Sequence, residues 1–86
     1  MSKPAPQEPL MPVYGFIQGD SMGLVVLVRP DETARDLADR MVEAAAVRVS
    51  PRPGGRVLFA GKVLEPRVTL RSAGVGPLDR VDLVWV

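Results

Sequence analysis

The chain has 86 residues, 47% of them apolar and 24% charged, with a formal net charge of +1; this suits one domain with one core and gives no electrostatic case for nucleic acid. It contains no Cys and no His, which excludes disulfides, thiolate chemistry, Cys- or His-based metal sites and the commonest general base at neutral pH. The longest apolar run, Leu24 to Val28, is far short of the ~20 residues that span a bilayer, and Pro4, Pro6, Pro9 and Pro12 break the N-terminus where a signal peptide needs an apolar core, so a cytoplasmic protein with no membrane partner is expected.

Residues 1–11 are Pro-rich and polar and have little to bury. They read as an extended arm ahead of a domain over residues 12–86. Val13 to Gln18 predicts a first strand, and Gly19-Asp20 with Gly23 brackets a turn. Leu24 to Arg29, dense in Val, predicts a second strand that Pro30-Asp31-Glu32 ends. Thr33 is suited to cap a helix over Ala34 to Ala46, with Asp36 at the positive end of its dipole. Ala34, Leu37, Ala38, Met41 and Ala45 share one face, and Arg35–Asp39 and Asp36–Arg40 have the spacing of ion pairs on the wet side.

Pro51, Pro53 and Gly54-Gly55 make a loop of Val47 to Gly55. Arg56 to Ala60 predicts a third strand, Gly61-Lys62 a turn, and Val63-Leu64 a short fourth strand before Pro66. Thr69 to Gly76 reads as a short helical turn or an irregular loop, and Val81 to Val86 as the last strand. The order β-β-α-β-β-β can bury a common face only by wrapping a sheet around the helix. The fold class expected is therefore α+β, with a mixed sheet curled over one helix. Trp85 is expected in the core beside Leu37 and Met41.

Two resemblances bear on this pattern. Val57-Leu58-Phe59-Ala60-Gly61-Lys62-Val63-Leu64-Glu65, followed by Thr69-Leu70, resembles the third strand, turn and fourth strand of ubiquitin, and Val28 to Thr33 resembles its entry into the helix. Both imply a β-grasp fold. More of the chain resembles the small ubiquitin-like subunit, protein B, of bacterial toluene and alkene multicomponent monooxygenases. The matching pieces are Pro12-Val13, Val25 to Val28, Leu37-Ala38-Asp39-Arg40 and Arg48-Val49-Ser50-Pro51-Arg52. They resume at Leu64-Glu65-Pro66-Arg67, Thr69-Leu70, Ala73-Gly74-Val75, Pro77 and Val81-Asp82-Leu83-Val84. Leu58 to Lys62 departs from that pattern and is closer to ubiquitin, so an alkene or isoprene is as admissible a substrate for the system as an aromatic hydrocarbon.

This second resemblance implies a non-catalytic small subunit on the outside of a hydroxylase, whose large subunit holds a diiron centre and is accompanied by a companion subunit. A Rieske ferredoxin, an NADH-dependent reductase and an effector protein would complete the system. No catalytic, cofactor-binding or metal-binding residue is expected in this chain. Two other readings stand beside this one: a free-standing ubiquitin-like adaptor, and a sulfur carrier or protein modifier. The last needs a terminal diglycine carboxylate, whereas Gly54-Gly55 is internal and the chain ends Leu83-Val84-Trp85-Val86.

Other residues that invite a functional reading have a plainer one. Asp31, Glu32, Asp36 and Asp39 around the helix start complement its dipole; a diiron site in a helical bundle would need Glu-x-x-His motifs, which this chain lacks. Arg48, Arg52 and Arg56 flank the Pro-rich loop without aromatic neighbours, and acids elsewhere balance them, so a solvated loop is the default reading and salt bridges to an acidic partner surface, not nucleic acid, the alternative. The informative residues are those that strand alternation turns away from the helix. Leu58 is opposite in phase to Val57 and Phe59, and Val84 and Val86 to Val81, Leu83 and Trp85. With Tyr14 and Phe16, and with Val25 and Leu27 at the flank, they would form an apolar patch fit for a partner. The candidate interface is therefore Leu58, Val84, Val86, Tyr14 and Phe16, with Arg48 and Arg52 as a second group.

Overall fold

The structure, a computed structural model, describes residues 9–48, 50 and 54–85. Its elements are β1 (Met11–Ile17), β2 (Leu24–Val28), α1 (Ala34–Ala44), β3 (Gly55–Phe59), β4 (Lys62–Val63), α2 (Leu70–Ala73) and β5 (Arg80–Trp85). One sheet runs in the order β2-β1-β5-β3-β4. The central β1–β5 pair is parallel and the other pairs are antiparallel. This is the α+β sheet wrapped around one helix that the element order predicts, and the β-grasp that the resemblance to ubiquitin implies.

Alternation builds the core. Met11, Val13 and Ile17 on β1, Val26 and Val28 on β2, Val57 on β3, and Val81 and Leu83 on β5 all point inward and are buried. They close on Ala34, Leu37, Ala38 and Met41 of α1, with Leu70 and Val75 sealing one end. Gly15 lets α1 come close, since a Cβ there would lie 2.9 Å from Met41 Cε. The strand register carries the pattern across: Gly15 is opposite Val81 and Ile17 opposite Leu83 on β5, and Val57 is opposite Leu83 from β3.

The start of α1 is fully capped. Thr33 Oγ1 accepts the Asp36 N–H at 3.2 Å, and the Asp36 carboxylate accepts the Thr33 N–H at 3.0 Å, a capping box. The Ala34 and Arg35 N–H groups donate to the Val68 and Pro66 carbonyls. The orphan donors of the first turn thus tie the helix to the segment after β4. Thr69 caps α2, and Gly74, at φ 85°, ends it in the left-handed conformation.

Several expectations need correction. β1 begins at Met11, which is buried, so the last residue of the expected arm belongs to the sheet; residues 1–8 lie outside the described residues. Helix α1 ends at Ala44 instead of Ala46. Among the described residues neither expected helical ion pair forms: Asp36 serves the capping box, and Arg40 pairs with Glu32 at 2.7 Å. Trp85 is half-buried at the rim. It packs against the core beside Leu83, where a Cβ on Gly55 would come within 3.2 Å of its ring. Its indole N–H donates to the Gln18 carbonyl at 3.1 Å and its backbone N–H to Gln18 Oε1 at 2.9 Å. The last strand overruns the helix, so Leu83 takes the deep position that was expected for Trp85.

Candidate partner interface

The side of the sheet turned away from α1 is built from five strands. β2 contributes Val25 and Leu27, and β1 contributes Pro12, Tyr14 and Phe16. β5 adds Arg80, Asp82 and Val84, β3 adds Arg56 and Leu58, and β4 adds Val63. The phase follows from the buried partners: every residue named here alternates with a core residue or pairs with one that does. Tyr14 lies opposite Val25 and Pro12 opposite Leu27. Leu58 lies opposite both Val63 and Asp82.

This face is apolar at both ends and polar in the middle. On one side Tyr14 is 43%, Val25 63% and Leu27 51% exposed. On the other, Val63 is 61% exposed beside half-buried Leu58 and Val84. Between them the Arg80 guanidinium stacks 4.2 Å from the Phe16 ring centroid and pairs with Asp82 at 3.0 Å. Phe16 in turn lies against Gly23, where a Cβ would come within 2.7 Å of its ring. Arg80 is thus held flat between an aromatic face and a carboxylate, with its side chain still largely exposed.

Of the candidate residues, Tyr14, Phe16, Leu58 and Val84 come together on this one face. Arg48 lies elsewhere, at the end of the turns that follow α1. Its Nη2 pairs with Asp20 Oδ2 at 2.8 Å and its Nε donates to the same carboxylate at 3.2 Å. That hydrogen bond, reinforced by the Met22 N–H and opposed by desolvation, holds the Asp20 carboxyl below the ordinary aspartate value; the Arg48 guanidinium is raised in turn. Arg48 therefore pins the β1–β2 turn. Arg52 and Val86 lie outside the described residues. The exposure of Val63 was missed, because a strand of two residues shows no alternation to read.

A groove of about 550 Å³ runs along the other side of the molecule between α1 and β3. Ala38, Val42, Val57 and Leu64 line it, with Arg35, Asp39 and Arg56 at its rim. Small helix residues leave this space; residues 51–53 lie outside the described residues. Among the described residues no three Asp, Glu, His or Cys side chains come together to hold a metal ion, and no helix is long and apolar enough to cross a membrane.

The sequence over residues 10–85 matches the family model described as toluene-4-monooxygenase system protein B (TmoB). Among solved structures, a chain of the toluene 4-monooxygenase HD complex with the inhibitor 4-bromobenzoate is similar at TM-score 0.82 and 22% identity, over 90% of this chain and 99% of that one. A ubiquitin from Caldiarchaeum subterraneum aligns at TM-score 0.71 and 23% identity, over 90% of this chain and 94% of its own. A chain from a structure on molecular mimicry of SUMO in DNA repair aligns at TM-score 0.73 and 24% identity, over 93% and 96%. No curated protein sequence matches significantly. The three structural likenesses establish the ubiquitin-like fold, and the family match spans nearly all of the described chain. The chain belongs to the toluene-4-monooxygenase system protein B family, the small non-catalytic subunits of multicomponent monooxygenases.

Proposed function

We propose that this subunit docks on a large diiron hydroxylase subunit through the outward face of its sheet, and that its work is to bind and stabilise that partner. The observation that carries the reading is the gathering of Tyr14, Val25, Leu27, Leu58, Val63 and Val84 on the face that the core does not use. Isolated exposed apolar residues are ordinary, but two apolar clusters flanking an Arg80–Asp82 strip on one sheet face have the mix of apolar and polar surface that a protein interface uses. The chain has no His or Cys, so oxygen activation belongs to the partner's metal centre. A companion hydroxylase subunit, a Rieske ferredoxin, a reductase and an effector protein complete the proposed system, which works in the cytoplasm on an aromatic or alkene hydrocarbon. The structural likeness to a chain of the toluene 4-monooxygenase complex supports this choice of partner.

The test is native co-purification followed by interface variants. The chain is expected to elute in stoichiometric amount with a much larger iron-containing polypeptide; elution of the free 9.3 kDa species alone would refute the reading. Leu58→Asp with Val84→Asp is expected to keep the melting midpoint, yet lose the partner, because a charge buried at an interface without a counter-charge must be desolvated. Retained binding by the double variant would move the docking surface off the Leu58–Val84 side of this face.

A further inference from the structure

The two edges of the sheet are protected differently. β4 has two residues, one of them Lys62, so it is too short and too charged to template another strand. β2 has five residues, Leu24-Val25-Val26-Leu27-Val28, with no charge and no Pro. Its outward backbone groups can be assigned from β1. Tyr14 and Gln18 donate toward β5, and Pro12 accepts from Leu78 on the same side. The odd-numbered residues of β1 therefore bond to Leu24, Val26 and Val28, their register partners. Val25 and Leu27, and then Arg29, turn their backbone groups to the free edge.

Part of that edge is covered by two side chains. Arg40 Nη1, reaching from α1, donates to the Leu27 carbonyl at 2.7 Å. Arg40 Nη2 pairs with Glu32 Oε2 at 2.7 Å, and Glu32 Oε1 accepts the Arg29 N–H at 2.8 Å. In a parallel ladder the carbonyl of one residue and the N–H two residues on bind a single residue of the neighbouring strand. The guanidinium and carboxylate thus fill, with donor and acceptor in the same order, the place of one residue of an added strand. The Val25 N–H and carbonyl and the Leu27 N–H have no partner among the described residues.

We propose that the free edge of β2 is a strand-pairing surface for a second copy of this chain, and that Arg40, braced by Glu32, keeps it shut. The edge is self-complementary. In an antiparallel pairing centred on Val26, Val25 of one copy opposes Leu27 of the other, and each offers both an N–H and a carbonyl. No like charges meet, because β2 carries none. Half of the resulting hydrogen bonds end on the Leu27 carbonyls, the atoms that Arg40 occupies. The guard therefore acts at the backbone, whereas the proposed docking to the hydroxylase uses side chains of the sheet face.

Sedimentation velocity of the purified full chain across a wide concentration range tests this, with melting curves to confirm folding. The wild type is expected to stay monomeric. Arg40→Ala exposes the Leu27 carbonyl and is expected to dimerise at least about tenfold more tightly. Arg40→Met keeps the stem but removes the donors, and gives the same reading should Arg40→Ala melt early. Arg40→Lys keeps a donor and stays monomeric. Adding Val25→Pro to Arg40→Ala removes an outward N–H that β1 does not use, and returns the chain to monomer. Folded Arg40→Ala and Arg40→Met variants as monomeric as the wild type would overturn the proposal. So would undiminished association in the Arg40→Ala, Val25→Pro double variant.

Discussion

Gly15 lies under Met41 in the middle of β1, and a Cβ there would sit 2.9 Å from Met41 Cε. Met41 is fully buried, so its end must repack to accept even a methyl group. Gly15→Ala is expected to cost about 1–3 kcal/mol from overpacking, less the few tenths to 1 kcal/mol gained by stiffening the unfolded chain; a lower urea midpoint at unchanged slope reads it. Leu78 is strained in the opposite sense. It holds φ 67° while its side chain is largely exposed, a left-handed backbone that costs an L-residue roughly 1–2 kcal/mol. Leu78→Gly is expected to raise the midpoint, since it loses little packing and relieves that strain; a lower midpoint would show that the Leu78 side chain contributes to the fold. Asp20 gives a pH signature. Arg48 depresses its carboxyl in the folded state, so the stabilisation is complete above the unfolded aspartate value of about 3.9 and is lost as pH falls through the lower folded value. The melting difference between wild type and Asp20→Asn is expected to be constant near neutrality and to shrink in acid; a difference that grows below pH 4 would reverse the sign.

Elements with strong local signals were legible in the sequence. The helix start needed only Thr33 and Asp36, because a capping box is made within one turn; Thr33→Ala is expected to cost about 1 kcal/mol by the same thermal or urea measurement. The alternation of β5 and β3 placed Val81, Leu83 and Val57 inside and Leu58 and Val84 outside, as the structure has them. Features that depend on long-range partners were not legible. Arg40 prefers Glu32 and the Leu27 carbonyl to its neighbour Asp36 because β2 comes alongside the helix. Asp20 takes Arg48 from twenty-eight positions away. Trp85 has the inward phase of Leu83, but phase cannot tell how far along a strand the helix still covers it. Half-buried as it is, Trp85→Ala is expected to cost about 2 kcal/mol, roughly half of the 3–5 typical of a fully buried Trp. Its fluorescence should be partly quenched by acrylamide; full protection would place it back in the core.

At the scale of the whole molecule, the sheet separates two tasks by face. The inward side, with α1, holds the fold together, and the outward side is left for the proposed partner. Arg80 and Asp82 divide that outward side into two apolar areas: Tyr14 with Val25 and Leu27, and Leu58 with Val63 and Val84. Their separation follows from the strand order, because β2 and β3 stand three strand spacings apart, roughly 14 Å at the usual 4.8 Å. Within the first area, Tyr14 and Val25 are directly opposed across a pair that exchanges no backbone hydrogen bonds, where side chains approach most closely. Double-mutant cycles on the dissociation constant for the hydroxylase should register this geometry. Tyr14→Ala and Val25→Ala are expected to be coupled, by about 0.5 kcal/mol or more. Tyr14→Ala and Leu58→Ala are expected to add within about 0.5 kcal/mol, since no contact joins them. The first area should also dominate, because its residues are more exposed in the free subunit and so have more surface to bury on docking. Strong coupling between Tyr14 and Leu58 would mean that the partner bridges the Arg80–Asp82 strip with one continuous element. If the Tyr14 and Val25 variants left the affinity untouched while Leu58→Ala weakened it, docking would be confined to the β3–β4 side.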